Sequence, residues 1–302
     1  MIKCYKIGLD RYSNGDRNSG LYEYGLIRNE LVKVENIIGE NHKDAIFIIN
    51  GAFNPQIDSK LFDEISMIKR KNGVCVFVMT DSCALSSVMQ KQVIDCCDFV
   101  LHQVPPRHDR EAFEQINCRQ YYSYIPELFY RKNEKVLKDK KLIFGGNNLR
   151  RSDKIAGYMF NDNGQLYDGF DLFCKDYYGN GGDTRLEYEK YYELSKRYKY
   201  TIIVARDEYN RSGWITSRFV EAISCGIIPF VDFEYDKFCW FVSKDSFLRI
   251  SGKNDVVTKI DQIESNCIIR EDVNDLIKNY ALYFDTQLYR SKFLDLCINL
   301  LK

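Results

Sequence analysis

Thr201-Ile202-Ile203-Val204-Ala205 reads as a strand, and the loop Arg206-Asp207-Glu208-Tyr209-Asn210-Arg211-Ser212-Gly213 follows it. Trp214-Ile215-Thr216-Ser217-Arg218-Phe219-Val220-Glu221-Ala222-Ile223-Ser224-Cys225 then reads as a helix closed by Gly226, and Ile227-Ile228-Pro229-Phe230-Val231 as the next strand. Strand, loop, helix and strand in that order predict a unit of a parallel α/β sheet. In such sheets ligands sit outside the carboxyl ends of the strands, so chemistry is expected on the strand-to-helix loops. On the helix, Phe219, Ala222 and Ile223 would face the core, while Arg218 and Glu221, three residues apart, share a face. Read as a surface pair, the two contribute about 0.2–0.5 kcal/mol. Read as a site, the arginine grips an anion such as a diphosphate and the carboxylate accepts hydrogen bonds from sugar hydroxyls.

The same alternation runs outward along the chain. In the first half, Ile2 to Leu9, Ala45 to Asn50, Val74 to Thr80 and Phe99 to His102 read as strands, with helices over Leu21 to Val34 and Leu61 to Lys71. The pattern restarts at Lys141, with strands over Leu142 to Phe144, Phe170 to Phe173, Thr201 to Ala205 and Ile227 to Val231. Helices over Arg150 to Phe160, Glu187 to Arg197 and Trp214 to Cys225 lie among them. The chain has 302 residues, which at roughly 150 per domain suggests two domains. Arg131 to Lys141 is polar and Lys-rich with little to bury, and reads as the boundary. The expected division is 1–138 and 139–285. A last helix, Thr286 to Leu301, could pack on either half; with the stretch 286–302 it is assigned to the first.

Composition narrows the function classes. Hydrophobic residues make up 45% and charged residues 28%, which excludes disordered, collagenous and coiled-coil chains. Lys plus Arg and Asp plus Glu are 43 each, for zero net charge. Nucleic acid held by global charge would demand a more basic chain, so DNA contact would rest on a local patch. Arg107, His108 and Arg110 in one loop, and the Lys-rich linker after Arg131, are the local cations at hand. The 11 cysteines include no CxxC pair and sit mostly in apolar runs, as reduced core thiols do. No apolar run approaches the roughly 20 residues that cross a bilayer. Met1-Ile2-Lys3-Cys4 leads straight into strand-like sequence, so a soluble, cytoplasmic chain is expected.

Two further stretches carry candidate chemistry. Leu142-Ile143-Phe144-Gly145-Gly146-Asn147-Asn148-Leu149-Arg150-Arg151-Ser152-Asp153-Lys154 is a strand ending in two glycines, a polar turn and a helix start rich in cations. Paired glycines let a ligand approach the backbone, and helix N–H groups attract phosphate. Arg150, Arg151 and Lys154 oppose the helix dipole by about 0.3–1 kcal/mol each, so they call for an anion nearby. Neither the dinucleotide fingerprint nor the Walker pattern is present, and an ordinary Gly-Gly turn with surface cations is the alternative. Asp81, ending Val76-Phe77-Val78-Met79-Thr80-Asp81, is placed to take a proton or, equally, to cap a helix.

Together these stretches resemble the bacteriophage DNA β-glucosyltransferase family, whose members move glucose from UDP-glucose onto 5-hydroxymethylcytosine in DNA. Ile215 to Glu221 and Val231-Asp232-Phe233-Glu234-Tyr235-Asp236 carry the likeness most closely, with Ile143 to Lys154. A helix bearing Glu, then Gly, then a strand with Pro is also the nucleotide-sugar end of many GT-B glycosyltransferases. The resemblance implies a GT-B fold: two doubly wound, Rossmann-like α/β domains facing across a cleft. It implies Asp81 as catalytic base and Gly145, Gly146 and Asn147 as the phosphate loop. Arg150, Lys154 and Arg218 would hold the diphosphate if the turn carries one inserted residue. Lys154 stands where the family has arginine and loses the bidentate fork. Glu221 would hold the ribose, Leu186 within Arg185 to Glu187 the uracil, and Tyr209 belongs with the donor site. Ala52, Phe53, Asn54 and Arg107 would face the acceptor base, and Asp207 matches an acidic residue near a metal position.

These implications set the expected function: an inverting transferase moving a sugar from a UDP-sugar to the hydroxymethyl group of 5-hydroxymethylcytosine in double-stranded DNA. The expected donor is UDP-glucose or UDP-arabinose, since Gly20 stands where the family has a glutamate close to glucose and a pentose would suit the change. Mg2+ or Mn2+ near Asp207 would share the charge on departing UDP. The base is expected to flip out of the duplex, the chain to act as a monomer, and no membrane to be involved. The rival readings are the same fold acting on a saccharide or small-molecule acceptor, and a noncatalytic DNA-binding module.

Overall fold

The computed structural model describes residues 3–7, 31–33, 45–50, 59–78, 88–102, 120–123, 136–147, 151–175, 183–186, 188–206, 209–210, 218–237 and 241–283, with 216, 239, 295 and 299 singly. The chain divides into two compact units, Met1–Phe129 with Asp285–Lys302 and Tyr130–Phe284.

The first unit holds six parallel strands: β1 (Lys3–Ile7), β2 (Leu31–Lys33), β3 (Ala45–Asn50), β4 (Val74–Val78), β5 (Phe99–His102) and β6 (Gln120–Ser123), in the order β2-β1-β3-β4-β5-β6. A parallel sheet is covered on both faces, so its central strands are continuous apolar runs rather than alternating ones. Ile46, Phe47, Ile49, Cys75, Val76 and Phe77 are accordingly buried. Helix α1 (Ser59–Arg70) buries Leu61, Ile65 and Ile68, the spacing of one helical face, and ends on Lys69 and Arg70, which suit the negative end of its dipole. Helix α2 (Val88–Cys96) buries Val93 and Ile94.

The second unit repeats the plan. Strands β7 (Lys140–Asn147), β8 (Phe170–Lys175), β9 (Tyr198–Ile203), β10 (Ile228–Asp232) and β11 (Arg249–Ile250) lie in the order β11-β10-β9-β7-β8, again all parallel. Counted along the chain, both sheets read 2-1-3-4-5, the doubly wound order whose direction of growth reverses beside its first strand. The helices are α3 (Ser152–Met159), α4 (Tyr188–Ser195), α5 (Arg218–Ser224), α6 (Asp255–Ser265) and α7 (Cys267–Tyr283). Helix α5 is too short to persist alone. Phe219, Val220, Ala222 and Ile223 are buried, and a fully buried side chain of the size of Phe219 or Ile223 contributes about 1.5–3 kcal/mol. Phe219 stacks on Phe241 and meets Tyr280 of α7 edge-on.

Some expectations need correction. Leu31–Lys33 is the edge strand β2 rather than the end of a helix over Leu21 to Val34, whose other residues lie outside the described ones. Three residues of Leu-Val-Lys fit either period. The last helix, Thr286 to Leu301, lies outside the described residues except at 295 and 299. The linker is also less idle than its composition suggests. Lys138 donates to the carbonyls of Lys196 (3.1 Å), Tyr198 (2.9 Å) and Cys225 (3.0 Å), using all three of its hydrogens. Two of those carbonyls follow α4 and α5, where helix ends leave acceptors unmet. Lys138→Ala is therefore expected to cost about 2–3 kcal/mol in urea denaturation. A loss of about 0.5 kcal/mol or less, ordinary for a surface lysine, would refute the clamp.

Candidate functional site

The second sheet reverses its order at β7, with β8 on one side and β9, β10 and β11 on the other. At such a switch a crevice opens beyond the carboxyl ends of the strands. Here it encloses about 520 Å3, counting its open mouth. Phe144 and Gly145 of β7, Arg151 ahead of α3, Tyr191 of α4, Val204 beyond β9, and Arg218 and Glu221 of α5 line it.

The paired glycines have a clear local reason. A Cβ on Gly145 would lie 2.1 Å from Cε2 of Tyr191, so the tyrosine ring fills the place that any side chain there would take. Gly146 has φ +149°, a region that L side chains rarely adopt, and a Cβ there would lie 2.9 Å from Nη2 of Arg151. The room beside both glycines thus goes to Tyr191 and Arg151. Burial raises the Tyr191 phenol above its ordinary range, so it stays neutral. Its ring carries the Arg218 guanidinium, 5.6 Å from the centroid.

Arg218 donates to Glu221 Oε2 at 2.8 Å, and the carboxylate is mostly buried while the guanidinium keeps 40% exposure. The expected i,i+3 pair is therefore present and faces the crevice. Tyr235 secures this helix start by donating to the Thr216 carbonyl at 2.6 Å, two residues before Arg218. Arg151 donates to the Val204 carbonyl and lies over the Phe144 ring at 5.4 Å. Burial, followed by the positive charges of Arg218 and Arg206, pushes Arg151 down to about 10. Arg206 lies over the Tyr209 ring at 5.0 Å and donates to its hydroxyl at 3.3 Å. Three guanidiniums that repel one another at a helix start, beside a carboxylate, can gather a polyanion while that carboxylate accepts hydroxyls.

Lys154 takes a different direction from the other cations. Its ammonium meets Asp232 Oδ1 at 3.3 Å and also Glu234. Burial disfavours its charge, but the bonds to Glu234 and Asp232 outweigh that and hold it above its ordinary value. Leu186 is half-buried ahead of α4 and does not line the crevice. Its neighbour Arg185 is engaged by Asp183 at 2.9 and 2.7 Å. Tyr209 reaches the cluster through Arg206. Asn147 ends β7 opposite Lys175. Asp81, Ala52, Phe53, Asn54, Arg107, Arg150 and Asp207 lie outside the described residues. Among the described residues no three His, Cys, Asp or Glu side chains are grouped to hold a metal ion.

Sequence reasoning passed over Arg206 and Tyr191, and it set Arg150 and Lys154 ahead of Arg151. Arg206 carried a readable signal, since it directly follows a strand that ends beside the switch. Tyr191 carried none, because its importance depends on α4 packing over Gly145.

The chain is similar to T4 phage BGT in complex with UDP and Mn2+ over 98% of this chain and 99% of that one, with TM-score 0.64 and 14% identity. The fold is GT-B. Similarity to the DNA modifying enzyme beta-glucosyltransferase, solved with and without uridine diphosphoglucose, covers 98% and 99% at TM-score 0.59 and 11% identity. An S. aureus TarM variant in complex with Fondaparinux, alpha-GlcNAc-glycerol and UDP matches 92% of this chain and 58% of its own, with TM-score 0.56 and 13% identity. No family model and no curated protein sequence matches this GT-B chain. Its crevice at the strand-order reversal of the second sheet is where doubly wound sheets bind ligands in general.

Proposed function

We propose that this chain is a glycosyltransferase that draws its sugar from a UDP-sugar held in the second unit. The observation that carries the reading is the meeting of Arg151, Arg206, Arg218 and Glu221 at the reversal of the sheet order. The arginines and the Gly145-Gly146 turn receive the diphosphate, and Glu221 accepts hydrogen bonds from the ribose. Charge-assisted bonds of about 1.5–3 kcal/mol each stabilise the negative charge that grows on departing UDP. Lys154, engaged by Asp232 and Glu234, stands outside that grip, and Arg151 takes the position that the sequence assigned to it.

The acceptor in this proposal is the hydroxymethyl group of 5-hydroxymethylcytosine in DNA. The sequence resemblance and the nearly full-length likeness to T4 phage BGT support it. Asp81 removes the hydroxyl proton as oxygen attacks C1 from the face opposite UDP, inverting that carbon. A saccharide acceptor is the second reading. Zero net charge and the similarity to TarM favour it. Incubating the protein with a panel of UDP-sugars and either hydroxymethylated or unmodified duplex DNA separates the two. Mass spectrometry of the nucleosides is expected to show a glycosylated hydroxymethylcytidine only with the hydroxymethylated DNA. UDP released with no change in any nucleoside would move the acceptor to a saccharide.

A further inference from the structure

A second polar cluster lies one strand away from the arginine crevice. Strands β9 and β10 pair in parallel up to Ile203 opposite Val231. Val204, whose carbonyl Arg151 holds, therefore lies about one strand spacing, roughly 4.8 Å, from Asp232 at the end of β10. Asp232 is buried and accepts from Tyr158 Oη (2.7 Å), Lys154 Nζ (3.3 Å) and the Glu234 backbone N–H (3.0 Å). Glu234 shares its Oε2 between Lys154 and Asn210 Nδ2, the latter at 3.3 Å, and stays 57% exposed. Asn210 is only 8% exposed, and among the described residues its Oδ1 meets no donor. A buried acceptor left unmet is costly, and this one sits beside an open carboxylate. Asn210 is tied to the arginine site through the backbone, since its N–H and that of Tyr209 both donate to the Arg206 carbonyl at 3.1 and 3.0 Å.

We infer that Asn210 and Glu234, braced by Lys154 and Asp232, form the subsite that reads the hydroxyls of the donor's sugar. The Lys154 ammonium already answers the carboxylate charge. What the cluster offers a ligand is hydrogen-bond acceptance at two neighbouring points, Asn210 Oδ1 and Glu234, and vicinal hydroxyls of a sugar ring match that pattern. The diphosphate site one strand away sets the other end of the same molecule. The inference rests on the UDP-sugar reading above and adds to it which residues select the sugar.

The test compares UDP, UDP-glucose, UDP-galactose and UDP-arabinose by calorimetry on the full chain and on Glu234→Gln and Asn210→Leu. Both variants are expected to bind UDP within about twofold of the parent while the preference among the three sugars shrinks about tenfold or more, as when a site built for hydroxyls loses its acceptor. Asn210→Leu is expected to keep or raise the melting temperature, because an unmet buried acceptor is replaced by an apolar group of similar size. A falling melting temperature with unchanged sugar preference would make Asn210 a structural residue and overturn the inference. Unchanged preference in Glu234→Gln would do the same. Absence of UDP binding in the parent would overturn the donor reading itself, and the subsite with it.

Discussion

Arg151→Met is expected to weaken UDP binding about 10- to 100-fold while leaving the ligand-free protein as stable as before or slightly more so. The two effects have one cause. Arg151 is buried, and burial with the charges of Arg218 and Arg206 pushes it down to about 10, so the protonated guanidinium is held at a cost. Exchanging a buried charge for an apolar group of similar volume is often neutral or stabilising, and methionine keeps contact with the Phe144 ring. With a diphosphate present the balance reverses, because one charge-assisted anchor of about 1.5–3 kcal/mol is gone. Melting curves with and without UDP read both quantities, since UDP raises the parent's midpoint in proportion to its affinity. A variant that melts lower without UDP, yet gains as much as the parent when UDP is added, would show that Arg151 only braces Val204.

Asp81→Asn is expected to lower turnover about 10²- to 10⁴-fold, the usual contribution of a general base, with UDP affinity within twofold of the parent. The amide keeps the shape of the carboxylate and cannot accept the hydroxyl proton, so the loss falls on kcat rather than on KM for the donor. Single-turnover measurements with hydroxymethylated DNA test this. Turnover within threefold of the parent would remove Asp81 from the chemistry and leave it as a helix cap.

Legibility in the sequence followed the physics of each segment. Strands β3 and β5 were readable to the residue because buried parallel strands are unbroken apolar runs bounded by turns. Strand β6, Gln-Tyr-Tyr-Ser, has no such run, and β11 has only two residues. Helices α6 and α7 mix charged and apolar residues closely enough that no boundary stood out. Arg218 and Glu221 were readable because a helix fixes the geometry of residues three apart. Which cation of Arg150, Arg151 and Lys154 enters the crevice was not, because a shift of one residue in the start of α3 turns a different side chain inward. The structure has Arg151 at Val204 and sends Lys154 one strand further, to Asp232. The unmet amide oxygen of Asn210 exists only once β9 and β10 lie side by side.

The central claim is that the arginine crevice of the second unit is a nucleotide diphosphate site. Isothermal titration of UDP into the parent and into Arg218→Ala tests it most directly, with inorganic pyrophosphate as competitor. The account predicts one saturable site in the parent, displaced by pyrophosphate and weakened about tenfold or more in Arg218→Ala. No heat of binding in the parent, or equal affinity in the two proteins, would contradict it.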